Sequence, residues 1–172
     1  MVLDKVQALT MAPTHQVELT APLLVGLAFA FLTIIVHALF PGMIVRVANH
    51  LVMRGRAGIW VWDVTFVIGA TLFLLVGHLV EIALWGLSFV WCGEISSFVT
   101  ALYYSAATYT TLGDGAIVLS ARWKLLAPIE AAVGMLMFGL STAMIFALIR
   151  RFIEAQFEGH GDPTLKRSKG VL

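Results

Sequence analysis

Residues 101–115 read "ALYYSAATYTTLGDG". An apolar run carrying two adjacent tyrosines ends in threonines, and Asp114 then stands between Gly113 and Gly115. The helical part, from Ser96 to about Tyr109, reaches only about 20 Å at ~1.5 Å per residue, short of the ~30 Å of a bilayer core. Ser96 or Ser97 is placed to cap its start. Gly113 and Gly115 adopt positive φ without a Cβ clash, so the helix gives way to a turned strand. A half-length apolar helix followed by such a strand should enter a membrane and return on the same side. Non-helical backbone is tolerated at that depth only inside protein or beside a water-filled path.

The surrounding chain is made for lipid. Of its 172 residues 60% are hydrophobic and 12% charged, and the mean hydropathy is +0.93. Soluble domains are about half apolar and a quarter charged. This length allows roughly three or four spans and no large second domain. A net charge of +1 says nothing about nucleic acid, no basic cluster suggests it, and no nucleic-acid partner is expected. Cys92 is the only cysteine, which excludes an intrachain disulfide; it reads as a small apolar residue, with an interchain cross-link as the minor alternative. Residues 1–20 lack the basic start and short apolar core of a cleaved signal peptide.

Working outward from the re-entrant segment (residues 93–122), spans are expected on both sides. Residues 59–92 form a long outer span with tryptophans at both ends, where interfacial anchors belong. Residues 123–151 form an inner span ending at Arg150-Arg151, and residues 152–172 a short polar tail. Residues 21–40 make a further N-terminal span, which Pro41-Gly42 is expected to end. Residues 41–58 then read as an amphipathic helix along the membrane surface, or as a basic connecting loop. Arg46, Arg54, Arg56, Arg150, Arg151, Lys166, Arg167 and Lys169 fall on one side; Lys5, Arg122 and Lys124 fall on the other. The positive-inside rule then places the N-terminus and the re-entrant segment outside and the C-terminus in the cytoplasm.

The segment resembles the pore helix and selectivity filter of the potassium-channel superfamily, in which Thr-Thr-Val-Gly-Tyr-Gly-Asp follows an apolar helix. The similarity extends through "GMLMFGLSTAMIFALIRR", which looks like a pore-lining inner helix, and back through "GHLVEIALW", similar to outer helices of small bacterial members. It covers roughly residues 60–151. The resemblance implies an all-α membrane protein: a homotetrameric pore domain with outer helix, pore helix and filter, inner helix, and here one extra N-terminal transmembrane helix. It implies no enzymatic activity and a place in the cell membrane. Thr111, Leu112, Gly113, Asp114 and Gly115 would supply the filter, one chain giving a quarter of each oxygen ring. Tyr103, Tyr104 and Tyr109 would support it, and the helix C-terminus would aim partial negative charge at a cation.

Asp114 marks a departure. Potassium-selective members carry tyrosine between the glycines and aspartate after them; here the residues are Asp114 and Ala116. Asp114 is too short to brace the filter from behind and its charge seeks water. The strand is similar to the non-selective sodium/potassium channels, whose filter reads Thr-Val-Gly-Asp-Gly. That implies passage of sodium as well as potassium. Four Asp114 carboxylates would concentrate cations and suit a hard divalent metal, so calcium binding or block is expected at the outer mouth.

Aligned on "FGLSTA", the resemblance puts Met135, Phe138, Thr142 and Phe146 on a cavity face, with Arg150 at the exit. Gly139 is read as hinge or packing contact, and Gly134 as packing. A ring of Phe146 could close the pore by excluding water. No segment repeats arginine every third residue, so no voltage sensor of the usual kind is expected. His78, Glu81 and Glu130 are ionisable residues within spans, each a functional candidate. They could bind a metal, for which two ligands on one helix are too few. They could instead relay protons, or form a buried network bracing the pore helix through tyrosine hydroxyls; the brace is the preferred reading. No cofactor is expected beyond the permeant ions and calcium. Partners are other copies, lipid, and an optional regulatory subunit. Competing readings are a potassium-selective channel, a proton-coupled transporter and a non-conducting subunit.

Overall fold

The computed structural model describes residues 19–53, 59–113 and 115–160, with side chains through residue 156. Asp114, Arg54 and Arg56, the N-terminal segment with Lys5, and the tail with Lys166, Arg167 and Lys169 lie outside the described residues. The described chain is all-α: α1 (Thr20–Met53), α2 (Trp60–Trp91), α3 (Phe98–Tyr109) and α4 (Leu126–His160). Three of these, α1, α2 and α4, are long and apolar enough to cross a membrane. At 12 residues, about 18 Å, α3 is not.

Pro41-Gly42 does not end the first helix. α1 continues through Pro41 to Met53, so residues 41–53 extend the span and do not form a separate surface helix. Proline removes one helical hydrogen bond, the one the His37 carbonyl would accept, and that loss alone does not stop a helix whose face is held by neighbours. The holding face is a single stripe: Pro22, Gly26, Ala30, Thr33, His37, Ile44 and Ala48 are buried. Its small residues allow close approach. A Cβ on Gly26 would lie 2.7 Å from Ile129 Cδ1 of α4.

α2 starts after Ile59 with Asp63 in its first turn, where an acidic group suits the helix dipole. It stops at Gly93, whose φ of 75° places it in the left-handed region. The Gly93 and Glu94 amides turn back to the Val90 and Phe89 carbonyls, closing the helix end. Ser97 caps α3, accepting from the Thr100 amide across a long 3.5 Å. α3 packs between α2 and α4, while α1 packs on the same two long helices. The extra helix is therefore part of the bundle. Two apolar clusters result, one around Trp85, Phe89, Tyr104 and Tyr109 at the level of α3. The other gathers Ile44, Ala48, Ala70, Leu74, Leu148 and Phe152 near the far ends of α1, α2 and α4.

Candidate functional site

The chain leaves α3 through a tight series of backbone hydrogen bonds. The Thr110 amide donates to Ala106 O at 3.1 Å, Thr111 to Thr108 O at 2.9 Å, and Gly113 to Ala107 O at 3.0 Å. Thr111 has φ 61° and Gly113 φ 75°. Glycine takes that region freely, but a β-branched threonine there is strained by about 1–3 kcal/mol, a cost that clusters at functional backbone. Thr111, Leu112, Gly113 and Gly115 are all exposed. Leu112 is 80% exposed, so this apolar residue buries nothing within its own chain.

Behind this turn the structure builds two buried polar clusters. Tyr109, the last residue of α3, donates its hydroxyl proton to Glu81 Oε2 of α2. Glu81 Oε1 accepts from His37 Nδ1 of α1 at 2.9 Å; without a metal, a carboxylate that only accepts puts the ring proton on that nitrogen. His78 Nδ1 lies 3.3 Å from both the Tyr109 hydroxyl and Glu81 Oε2, and its Nε2 is 3.0 Å from Ser141 Oγ of α4. One carboxylate thus ties α1 and α2 to the end of α3. In the second cluster Ser105 of α3 contacts both the Ile82 carbonyl, at 2.8 Å, and Glu130 Oε1 of α4. Glu81 and Glu130 are both 0% exposed.

The expected set of His78, Glu81 and Glu130 is therefore divided. His78 and Glu81 meet each other and Tyr109, while Glu130 holds Ser105 one turn earlier on α3. The two carboxylates reach α3 from its flanking helices, Glu81 from α2 and Glu130 from α4. Of the three tyrosines, Tyr109 reaches Glu81, Tyr104 packs edge-on to Phe89 at 5.0 Å, and Tyr103 lies exposed. His37 was not anticipated. Its signal was available, as the one imidazole in a run free of Asp, Glu, Lys and Arg from residue 19 to 45.

Close backbone contacts set α3 against its neighbours. A Cβ on Gly134 would overlap the Tyr109 carbonyl oxygen and sit 3.1 Å from its carbonyl carbon. A Cβ on Gly86 would lie 3.3 Å from Leu102 Cα. On α4, Glu130, Val133, Met137, Ser141, Leu148 and Phe152 are buried, and Met135, Phe138, Thr142, Phe146 and Arg150 are exposed. The two stripes lie on opposite faces, as a 3.6-residue period requires. Phe138 also reaches back, with its ring 4.4 Å from that of His78 and 5.6 Å from that of Tyr109. Gly139 faces open space, with nothing within 4 Å of an added Cβ. Arg150 pairs with Glu154 at 2.8 Å on the exposed face. Near the same end Gln156 donates to the buried Asp63 of α2 at 3.1 Å.

Residues 77–151 match the family model described as "Ion channel". The match takes in the second half of α2, all of α3, the segment after it and α4 as far as Arg151, and leaves α1 outside. It supports a channel function, and with three membrane-length apolar helices it supports a multi-pass membrane protein. No curated protein and no solved structure matches the chain.

Proposed function

We propose that four copies of this chain form a cation channel that passes both sodium and potassium. The observation that carries the reading is the segment after α3. Its Thr111 and Gly113 hold left-handed conformations and its residues, apolar Leu112 included, are exposed in the single chain. Strained and unpacked backbone of this kind makes sense when three further copies complete a ring around an axis. Thr111, Leu112, Gly113, Asp114 and Gly115 line the ion path, and Met135, Phe138, Thr142 and Phe146 line the cavity below. Poor selectivity follows from Asp114, which cannot replace a bracing tyrosine. Four such carboxylates bind calcium at the outer mouth. The N-terminus and filter lie outside the cell membrane and the C-terminus in the cytoplasm.

A potassium-selective filter is the second reading, favoured by the Tyr109–Glu81 and Ser105–Glu130 contacts, which grip α3 from two sides. A bi-ionic reversal potential, sodium against potassium, on purified protein in a planar bilayer separates the two. A value near zero supports the non-selective pore. A value at the potassium limit supports the gripped, selective filter. Absence of current under all conditions overturns both.

A further inference from the structure

His78 and Glu81 alone are too few to hold a metal; the fold adds a third ligand from a helix that the pore does not require. We propose that His37, His78 and Glu81 form a binding site for one divalent transition-metal ion of the zinc class, buried within each chain behind the filter. One ligand atom from each residue lies within 4.8 Å of the others. Each histidine already meets one oxygen of the carboxylate: His37 Nδ1 to Glu81 Oε1 is 2.9 Å and His78 Nδ1 to Glu81 Oε2 is 3.3 Å. Ligands about 2.1 Å from a tetrahedral zinc stand about 3.4 Å apart, so the three ligand atoms have to draw in only modestly from their present spacing.

The donor set selects the ion. Two imidazole nitrogens and one carboxylate suit zinc, nickel or copper, whereas calcium and magnesium take oxygen shells. The ligands are buried, with His37 and His78 each 4% exposed, and two neutral imidazoles with one carboxylate bring a single negative charge to a dication. Outer groups hold them. Ser141 Oγ, 3.0 Å from His78 Nε2, accepts that N–H and frees Nδ1 for the metal, and the Tyr109 hydroxyl holds Glu81. The same hydroxyl oxygen, 3.3 Å from His78 Nδ1, is the nearest group for a fourth position. Binding at His37 Nδ1 replaces the hydrogen bond that nitrogen makes to Glu81 Oε1. A bound ion joins α1 to α2 at the level where Glu81 meets Tyr109, and through it the extra helix stiffens the support of the filter.

The test is metal content, read without any current, so that it stands or falls apart from the channel reading. The full chain, purified in detergent and stripped with a chelator, is equilibrated with zinc, and bound metal is counted by mass spectrometry. About one zinc per chain is expected for the parent protein and for His50→Ala, an exposed histidine on the same helix. His37→Ala and His78→Ala should fall to background, and Ser141→Ala should weaken binding about 10–100-fold. Cobalt in the unaltered protein supplies a readout that needs no variant, the intense visible bands of a tetrahedral site. Zinc retained by the His37→Ala, His78→Ala double variant, no zinc in the parent, or a cobalt spectrum like that of the aqueous ion would each overturn the site.

Discussion

Gly134 of α4 lies directly beneath the Tyr109 carbonyl, at the point where α3 ends and the exposed turn begins. No side chain fits between them. The oxygen an added methyl would strike belongs to backbone, which cannot swing aside as the end of a side chain can. Gly134→Ala is therefore expected to destabilise the folded chain by about 1–3 kcal/mol despite alanine's better helix propensity. Gly139→Ala, with open space around it, should stay within about 0.5 kcal/mol of the parent unless another copy packs there. Thermal unfolding of both variants in detergent, side by side, checks the contrast.

Removing the Tyr109 hydroxyl leaves Glu81 Oε2 buried with one partner fewer. Tyr109→Phe should cost about 1–3 kcal/mol, while Tyr103→Phe, at an exposed position, should cost much less. A cycle with Glu81→Gln should show strong coupling between residues 81 and 109 and none between 81 and 103. Equal costs at the two tyrosines would remove Glu81 from its role as the tie between α2 and α3.

Asp114→Asn removes four carboxylates from the mouth of the proposed tetramer. Block by external calcium should weaken by at least about tenfold, because affinity for a hard divalent ion follows the number of charged ligands. Asp114→Tyr is expected to move the reversal potential toward potassium. Unchanged calcium sensitivity in Asp114→Asn would place calcium elsewhere or nowhere.

Phe146 is 68% exposed on the face of α4 opposite its buried stripe. If four such rings close the pore by excluding water, Phe146→Ala should raise the open probability severalfold without changing the reversal potential. Single-channel recording separates the two quantities. The exposed Ile153, on the same helix beyond the proposed constriction, is the comparison substitution.

Burial pushes the Cys92 thiol above its ordinary value, Glu94 adds to the rise, and Arg122 offsets part of it. A raised value means less thiolate at neutral pH, so alkylation by iodoacetamide should be slow at pH 7 and climb through the alkaline range. Glu94→Gln should shift that profile toward lower pH. Because Glu94 also accepts from the Ser120 amide and hydroxyl, each at 2.7 Å, the variant should loosen the loop after the filter as well.

The short helix and its end were legible in the residues from 96 onward, because length against bilayer thickness and glycine against backbone sterics are local properties; the strand expected after it is instead a turn, with Thr111 and Gly113 in the left-handed region. The three spans followed from hydropathy for the same reason, while the residues set on one face of α4 came from the resemblance and its buried face only from the structure. Other features depended on which helix faces meet. Pro41 reads as a stop, yet the helix passes it, because burial of the Pro22-to-Ala48 stripe outweighs one lost hydrogen bond. Gly134 and Gly139 are alike on paper; only the passage of α3 over one of them makes a methyl intolerable there. His78, Glu81 and Glu130 stood out as charges in lipid, but their partners did not. The stretch between His37 and Glu81, 44 positions apart, carries no record of their contact. That pairing is settled when α1 and α2 bury their small-residue faces and leave one carboxylate to satisfy both helices and the end of α3.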